Sequence, residues 1–132
     1  LKHYGISVLE KIKSRKEIAR IFNCGKNVYS DDNKLKAKYI LIANVIDTGV
    51  LFAVTVAKKQ GNSVWRNRVK RLIREAYRHN KIDLIKYCKN KNVILEIIFS
   101  PKNLDQSKNR QIKLVDIEPP LKEILAKIKE EI

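Results

Sequence analysis

The sequence predicts one α+β domain, and three features point to it. Its 132 residues are enough for a single core. The stretches 39–46, 50–57 and 93–99 are rich in β-branched residues, the composition of strands. Residues 15–24 and 62–78 instead space their apolar side chains at the helical period.

Hydrophobic residues make up 44% of the chain, which argues against disorder even with 33% charged. No uninterrupted apolar run exceeds five residues, far short of a membrane span. No charged-then-apolar signal segment opens the chain, and the first residue is Leu rather than Met, so a few preceding residues are expected. Cys24 and Cys88 have no ligand spacing, and with His3 and His79 scattered no structural zinc is expected. Two free thiols fit a reducing cytoplasm. The net charge of +15 points to nucleic acid or an anionic membrane surface.

Ser14 and Glu17 have the spacing of a capping box at the start of the first helix. Ile18, Ile21 and Phe22 form its apolar face, and Gly25 is expected to stop it in a left-handed conformation. On these grounds alone Ile18 and Phe22 read simply as core residues. A short strand is expected at 28–30, followed by an Asp31-Asp32-Asn33 turn. The runs 39–46 and 50–57, separated by Asp47-Thr48-Gly49, suggest a hairpin. The second run is apolar on both alternating faces, which suggests a central strand. In 93–99 (VILEIIF) Glu96 must reach solvent or find a partner. Ile82, Leu84, Ile85 and Tyr87 continue the preceding helix or form another. Residues 102–115 resemble a polar loop, and Pro119-Pro120 is expected to open a last helix carrying Leu121, Ile124, Leu125 and Ile128 inward.

The functional signal is concentrated in residues 58–78. Eight Lys or Arg and one acid, Glu75, give this stretch +7 of the chain's +15. Residues 1–30 add a second basic block, seven cations against two acids. Asn62 is the expected N-cap after Gly61, for which a turn conformation is expected. Trp65, Val69, Leu72, Ile73 and Ala76 then make one buried stripe. At ~100° per residue, Asn67 and Arg74 lie opposite that stripe, Arg66 and Lys70 on one flank, and Arg68, Arg71 and Arg78 on the other. An ordinary solvated helix would interleave acids for i,i+4 pairing. Within 66–78 arginine outnumbers lysine five to one, and guanidinium forks bind phosphate bidentately. Lys58 and Lys59 add to the positive end of the helix dipole.

Gly61-Asn62, Arg66-Asn67-Arg68, Lys70-Arg71 and Arg74-Glu75 together resemble the signature of the protein component of bacterial ribonuclease P. The resemblance covers most of residues 8–130. It implies one RNA-binding domain over 1–132, a two-layer α+β sandwich of order αβββαβα, with a mixed sheet and an unusual left-handed β-α-β crossover. It also implies that an RNA subunit, with Mg²⁺, cleaves precursor tRNA to give the mature 5′ end. The protein would bind that RNA through Lys58, Lys59, Arg66, Asn67, Arg68 and Arg71. It would hold the 5′ leader in a cleft bordered by Ile18, Phe22, Tyr39, Lys70 and Arg74. At position 18 the family often carries an aromatic, and Tyr39 is the nearest match to a cleft tyrosine. No membrane and no obligate protein partner are expected.

The residues offer little to an autonomous nuclease. Acid–base cleavage wants positioned histidines, and His3 and His79 are far apart in sequence. Metal-dependent cleavage wants clustered carboxylates, whereas Asp31-Asp32 reads as a turn and Glu96 stands alone in a strand. A generic or ribosomal RNA-binding protein would share the charge but not the spacing of the signature. A helix-turn-helix protein would need a short helix before the basic one, where a strand and a glycine turn are expected.

Overall fold

The computed structural model describes residues 11–12, 14–43 and 48–132. The element order is α1 (Arg15–Cys24), β1 (Lys26–Tyr29), β2 (Leu35–Ala43), β3 (Gly49–Val54), α2 (Ser63–Asn90), β4 (Val93–Pro101) and α3 (Leu114–Glu131), with a short 3₁₀ turn at Lys58–Gln60 before α2. This is the expected αβββαβα order. The strands form one mixed sheet in the order β1-β2-β4-β3. β1 with β2 and β2 with β4 are antiparallel, whereas β3 and β4 are parallel, connected through α2.

The expected hairpin of 39–46 with 50–57 is not formed, because β4 lies between β2 and β3. The loop of that hairpin falls partly on residues 44–47, outside the described residues. β3 is accordingly not central. It is apolar on both faces because both are covered: Val50 and Phe52 pack beneath α2, while Leu51 and Ala53 pack with Ile12, Ile21 and Ile98. A bridge from Lys11 to Phe52 covers part of its outer edge.

α2 and α3 lie together on one face and enclose the main core with Leu35, Ala37, Tyr39, Leu95, Ile97 and Phe99. Phe52 stacks on Tyr77 of α2, ring centroids 4.3 Å apart. The expected stripes of both helices, Trp65 to Ala76 and Leu121 to Ile128, are buried. α2 runs on through Leu84 and Cys88 as one 28-residue helix. α1 lies on the opposite face, where Ile21 and Ile98 are buried.

Four local expectations are corrected. Ser14 occupies the N-cap of α1 but its side chain makes no cap hydrogen bond. Gly25 is not left-handed, with φ −75°. Its requirement is close approach, since a Cβ there would lie 2.4 Å from the Ile21 carbonyl oxygen. Gly61 likewise departs from the expected turn: its backbone is extended, and a Cβ would meet the Trp65 ring at 2.6 Å. The prolines do not open α3. It begins at Leu114, stabilised by Asp116 accepting from the Lys113 N–H at 2.9 Å and by burial of Ile117, so Pro119 and Pro120 fall inside it.

Candidate nucleic-acid interface

The start of α2 is fixed by polar contacts that its sequence supplies. Asn62 caps it, its Oδ1 accepting from the Trp65 N–H at 2.9 Å. Gln60 ties the preceding turn to residues 101–106. Its Oε1 accepts from the Ala57 N–H at 2.9 Å, and its Nε2 donates to the Pro101 and Leu104 carbonyls. The segment after β4 is therefore more than a polar loop. Leu104 and Ile112 are buried, and it lies along α2, accepting at Asn109 O from Trp65 Nε1 (2.9 Å) and at Ile112 O from Arg68 Nε (2.9 Å).

That bracing orients the arginines. Arg68 Nε is held by Ile112 O, and Arg66 Nε by Gly61 O at 3.1 Å. Each bond uses one donor of a guanidinium fork and leaves the rest for an anion. Asn67, Arg71 and Arg74 are exposed, and Arg66, Arg68 and Lys70 half-buried. Glu75 faces Arg78 at 3.7 Å. Lys58 and Lys59 are exposed on the turn ahead of the helix.

A second concave surface lies on the other face of the sheet. A hollow of about 270 Å³ is lined by Phe22, Lys36, Thr55, Val56, Ala57, Gln60, Ser100 and Pro101. Phe22, at the end of α1, is 40% exposed, unusually high for a large aromatic. Lys38 Nζ donates to the Phe22 carbonyl at 2.7 Å, neutralising the negative end of α1 and fixing the ring's helix over the strands. Thr55 and Ser100 share a 2.8 Å hydrogen bond at its floor. Because Ala57 and Gln60 line this hollow, it reaches the turn that leads into α2. Gln60 also lines a larger hollow of about 770 Å³ on the other side, with Lys59, Gly61, Asp105, Gln106, Ser107 and Arg110.

The residues expected from the sequence separate here. Phe22 lines the hollow, and Ile18 is partly buried beside it against Ile21 and Ile98. Tyr39 does not join them. It is 3% exposed in the main core on the opposite face, where burial pushes its phenol above the ordinary value and Glu131 adds to the shift. The physical reason is parity: Leu35, Ala37 and Tyr39 of β2 point to α2 and α3, whereas Lys36 and Lys38 point to α1. Lys70 and Arg74 belong to the basic surface of α2 and are not among the residues lining the hollow. Not expected from the sequence are Lys36, Lys38, Thr55 and Ser100. Their one visible signal is the lysine alternation in Leu35-Lys-Ala-Lys-Tyr39.

His3 lies outside the described residues, and His79 faces Glu118 at 3.4 Å, on α2 and α3. Glu96 finds its partner in Arg20 at 3.0 Å. Among the described residues no three His, Cys, Asp or Glu side chains gather into a metal cluster, and no helix is long and apolar enough to cross a membrane.

A braced arginine helix beside a hollow with an exposed aromatic gives this α+β protein a surface chemically suited to nucleic acid. The comparisons make that class particular. The family model for Ribonuclease P matches residues 7–116. The ribonuclease P protein component of Clostridium botulinum (strain Langeland) is 39% identical over 119 residues, 89% of this chain and 92% of the relative. That of Clostridium novyi is 36% identical over 108 residues, covering 81% and 84%. Among solved structures, the Staphylococcus aureus RNase P protein superposes with a TM-score of 0.68 at 23% identity, over 91% of this chain and 95% of that one. The Thermotoga maritima protein gives 0.60 at 21% identity, over 93% and 97%. The chain belongs to the ribonuclease P protein family.

Proposed function

We propose that this chain is the protein subunit of ribonuclease P, binding the catalytic RNA through α2 and the 5′ leader of precursor tRNA through the Phe22 hollow. Two differently built surfaces meeting at the 57–60 turn carry the reading. Arg66, Asn67, Arg68 and Arg71, with Lys58 and Lys59, offer a dense phosphate-binding face suited to a folded RNA. The hollow instead offers an exposed ring, one lysine and two hydroxyls, which suit a single strand with unstacked bases. Lys70 and Arg74 act as part of the first surface and steer the leader only by their charge.

The protein's contribution is positioning. Holding the leader beside the catalytic RNA converts part of substrate recognition into an intramolecular event. We assign binding of the Mg²⁺ that the reaction uses, along with the cleavage step, to the RNA subunit. A cytoplasmic location follows from that assembly.

The test is cleavage of precursor tRNA by the RNA subunit at low Mg²⁺, with and without the protein. Stimulation by the protein, and no cleavage by the protein alone, is the expected result; absence of stimulation ends the proposal. Variants then separate the surfaces. Arg68→Ala should weaken affinity for the RNA subunit by about 1–3 kcal/mol, a charge-assisted contact. Phe22→Ala should instead reduce the preference for precursor over mature tRNA.

A further inference from the structure

We propose that the sheet carries a second nucleotide subsite beyond the Phe22 hollow, in which Tyr29 stacks on a base of the single strand and Lys36 and Lys102 meet its phosphates. The inference rests on the leader reading and extends it to residues not used above.

The strand register builds this surface. Tyr29 pairs with Lys36, and Lys36 pairs with Ser100, which is hydrogen-bonded to Thr55. Directly opposed residues in neighbouring strands point to the same face. Tyr29, Lys36, Ser100 and Thr55 thus form one row across all four strands, ~14 Å long at ~4.8 Å per strand spacing. One step along, the row Asn27, Lys38, Ile98 and Ala53 lies under α1, with Ile98 buried against Ile21. α1 therefore stops short of the Tyr29 row, and Phe22 stands at its boundary.

Exposure and charge agree with that placement. Among the described residues, Phe22 and Tyr29 are the exposed large aromatics, at 40% and 38%. Both sit on this face, and both have a lysine at the ring: Lys38 Nζ is 5.8 Å from the Phe22 centroid and Lys102 Nζ 4.2 Å from that of Tyr29. A surface cation–π pair alone would account for Tyr29 with Lys102. It would not account for an aromatic at the end of a row that continues through a lysine and two hydroxyls into the hollow. That combination matches what a single RNA strand presents: a base face, phosphates and 2′-hydroxyls. Lys102 is exposed and can exchange the ring for a phosphate. The nearby carboxylates are already engaged, Asp31 by Lys127 at 2.8 Å and Asp32 by Ser30 and the Lys34 N–H.

The test uses the protein assembled with the RNA subunit and precursor tRNAs whose leaders lengthen one nucleotide at a time. Wild-type affinity should climb in steps and level off. Tyr29→Ala should remove the last step, about fivefold or more for a stacked base, leaving shorter leaders and mature tRNA at wild-type affinity. Tyr29→Phe should keep the step, and Phe22→Ala should remove an earlier one. A Tyr29→Ala ladder that matches wild type at every length overturns the subsite, as does equal weakening at every length including mature tRNA. A wild-type protein with no dependence on leader length overturns the leader reading itself and the subsite with it.

Discussion

The two faces of the sheet are made from the same strands, residue by alternate residue, yet they are built to different ends. The face toward α2 and α3 is closed, with Leu35, Ala37, Leu95, Ile97 and Phe99 all at or near zero exposure. The face toward α1 is closed only over Ile98 and its neighbours, and opens at Lys36, Ser100 and Thr55. One face supplies stability and the other supplies a surface. The difference shows why the long basic helix can carry so many like charges: its apolar side is locked into the closed face, which holds its shape.

Adjacent residues of β4 test this division most sharply. Ile97→Ala should cost about 2–5 kcal/mol, near the upper end because α2, α3 and the sheet cannot collapse into the gap. Ile98→Ala, equally buried beneath one short helix, should cost less, since α1 can shift to fill the space. Urea denaturation of both variants decides it, and equal losses would break the comparison.

The next largest effect concerns Glu96, the acid in β4 on the α1 side. Its side chain is 6% exposed, while its partner Arg20 is 52% exposed. Arg20→Ala should therefore cost about 1–2 kcal/mol, less than a fully buried pair because solvent already screens the arginine. Adding Glu96→Gln should recover most of that loss, measurable as a double-mutant cycle.

The smallest effect is chemical. Cys88 is buried in α2, and burial pushes its thiol up to about 11, so at pH 8 it is protonated and enclosed. Cys24 is exposed at the end of α1. Alkylation of the native protein at pH 8 should label Cys24 alone, with Cys88 following only in denaturant or as the pH approaches 11. Fast labelling of both would mean that the closed face is not closed.

Much of this architecture was readable in advance, for identifiable reasons. α2 announced itself because Trp65, Val69, Leu72, Ile73 and Ala76 repeat at a period that only a helix turns to one side. The partners of the strands were not readable. Apolar content on both faces of 50–54 reports two covered faces, and says nothing about which strand lies alongside. Tyr39 was misplaced for a related reason. Residues 39–43 are apolar at every position, so the face each side chain takes is set by the register from Leu35, where the alternation with Lys36 and Lys38 begins. Loop 102–113 hid its role because its hydrogen bonds to α2 come largely from backbone carbonyls, which carry no sequence signature.

The central position of β4 also has a consequence for how the chain is made. β4 is the last strand to leave the ribosome, about forty residues after β3. At ~5–20 residues per second, β2 and β3 wait roughly 2–8 s without the neighbour that separates them. During that interval the direct β2–β3 pairing, suggested by their adjacency in sequence, has no competitor, and it must be undone when β4 arrives. Stalled nascent chains ending before Val93 should accordingly pair β2 with β3, detectable by cross-linking between the two. Release of the full chain should abolish that cross-link; its absence at the stalled stage would mean the edges wait unpaired.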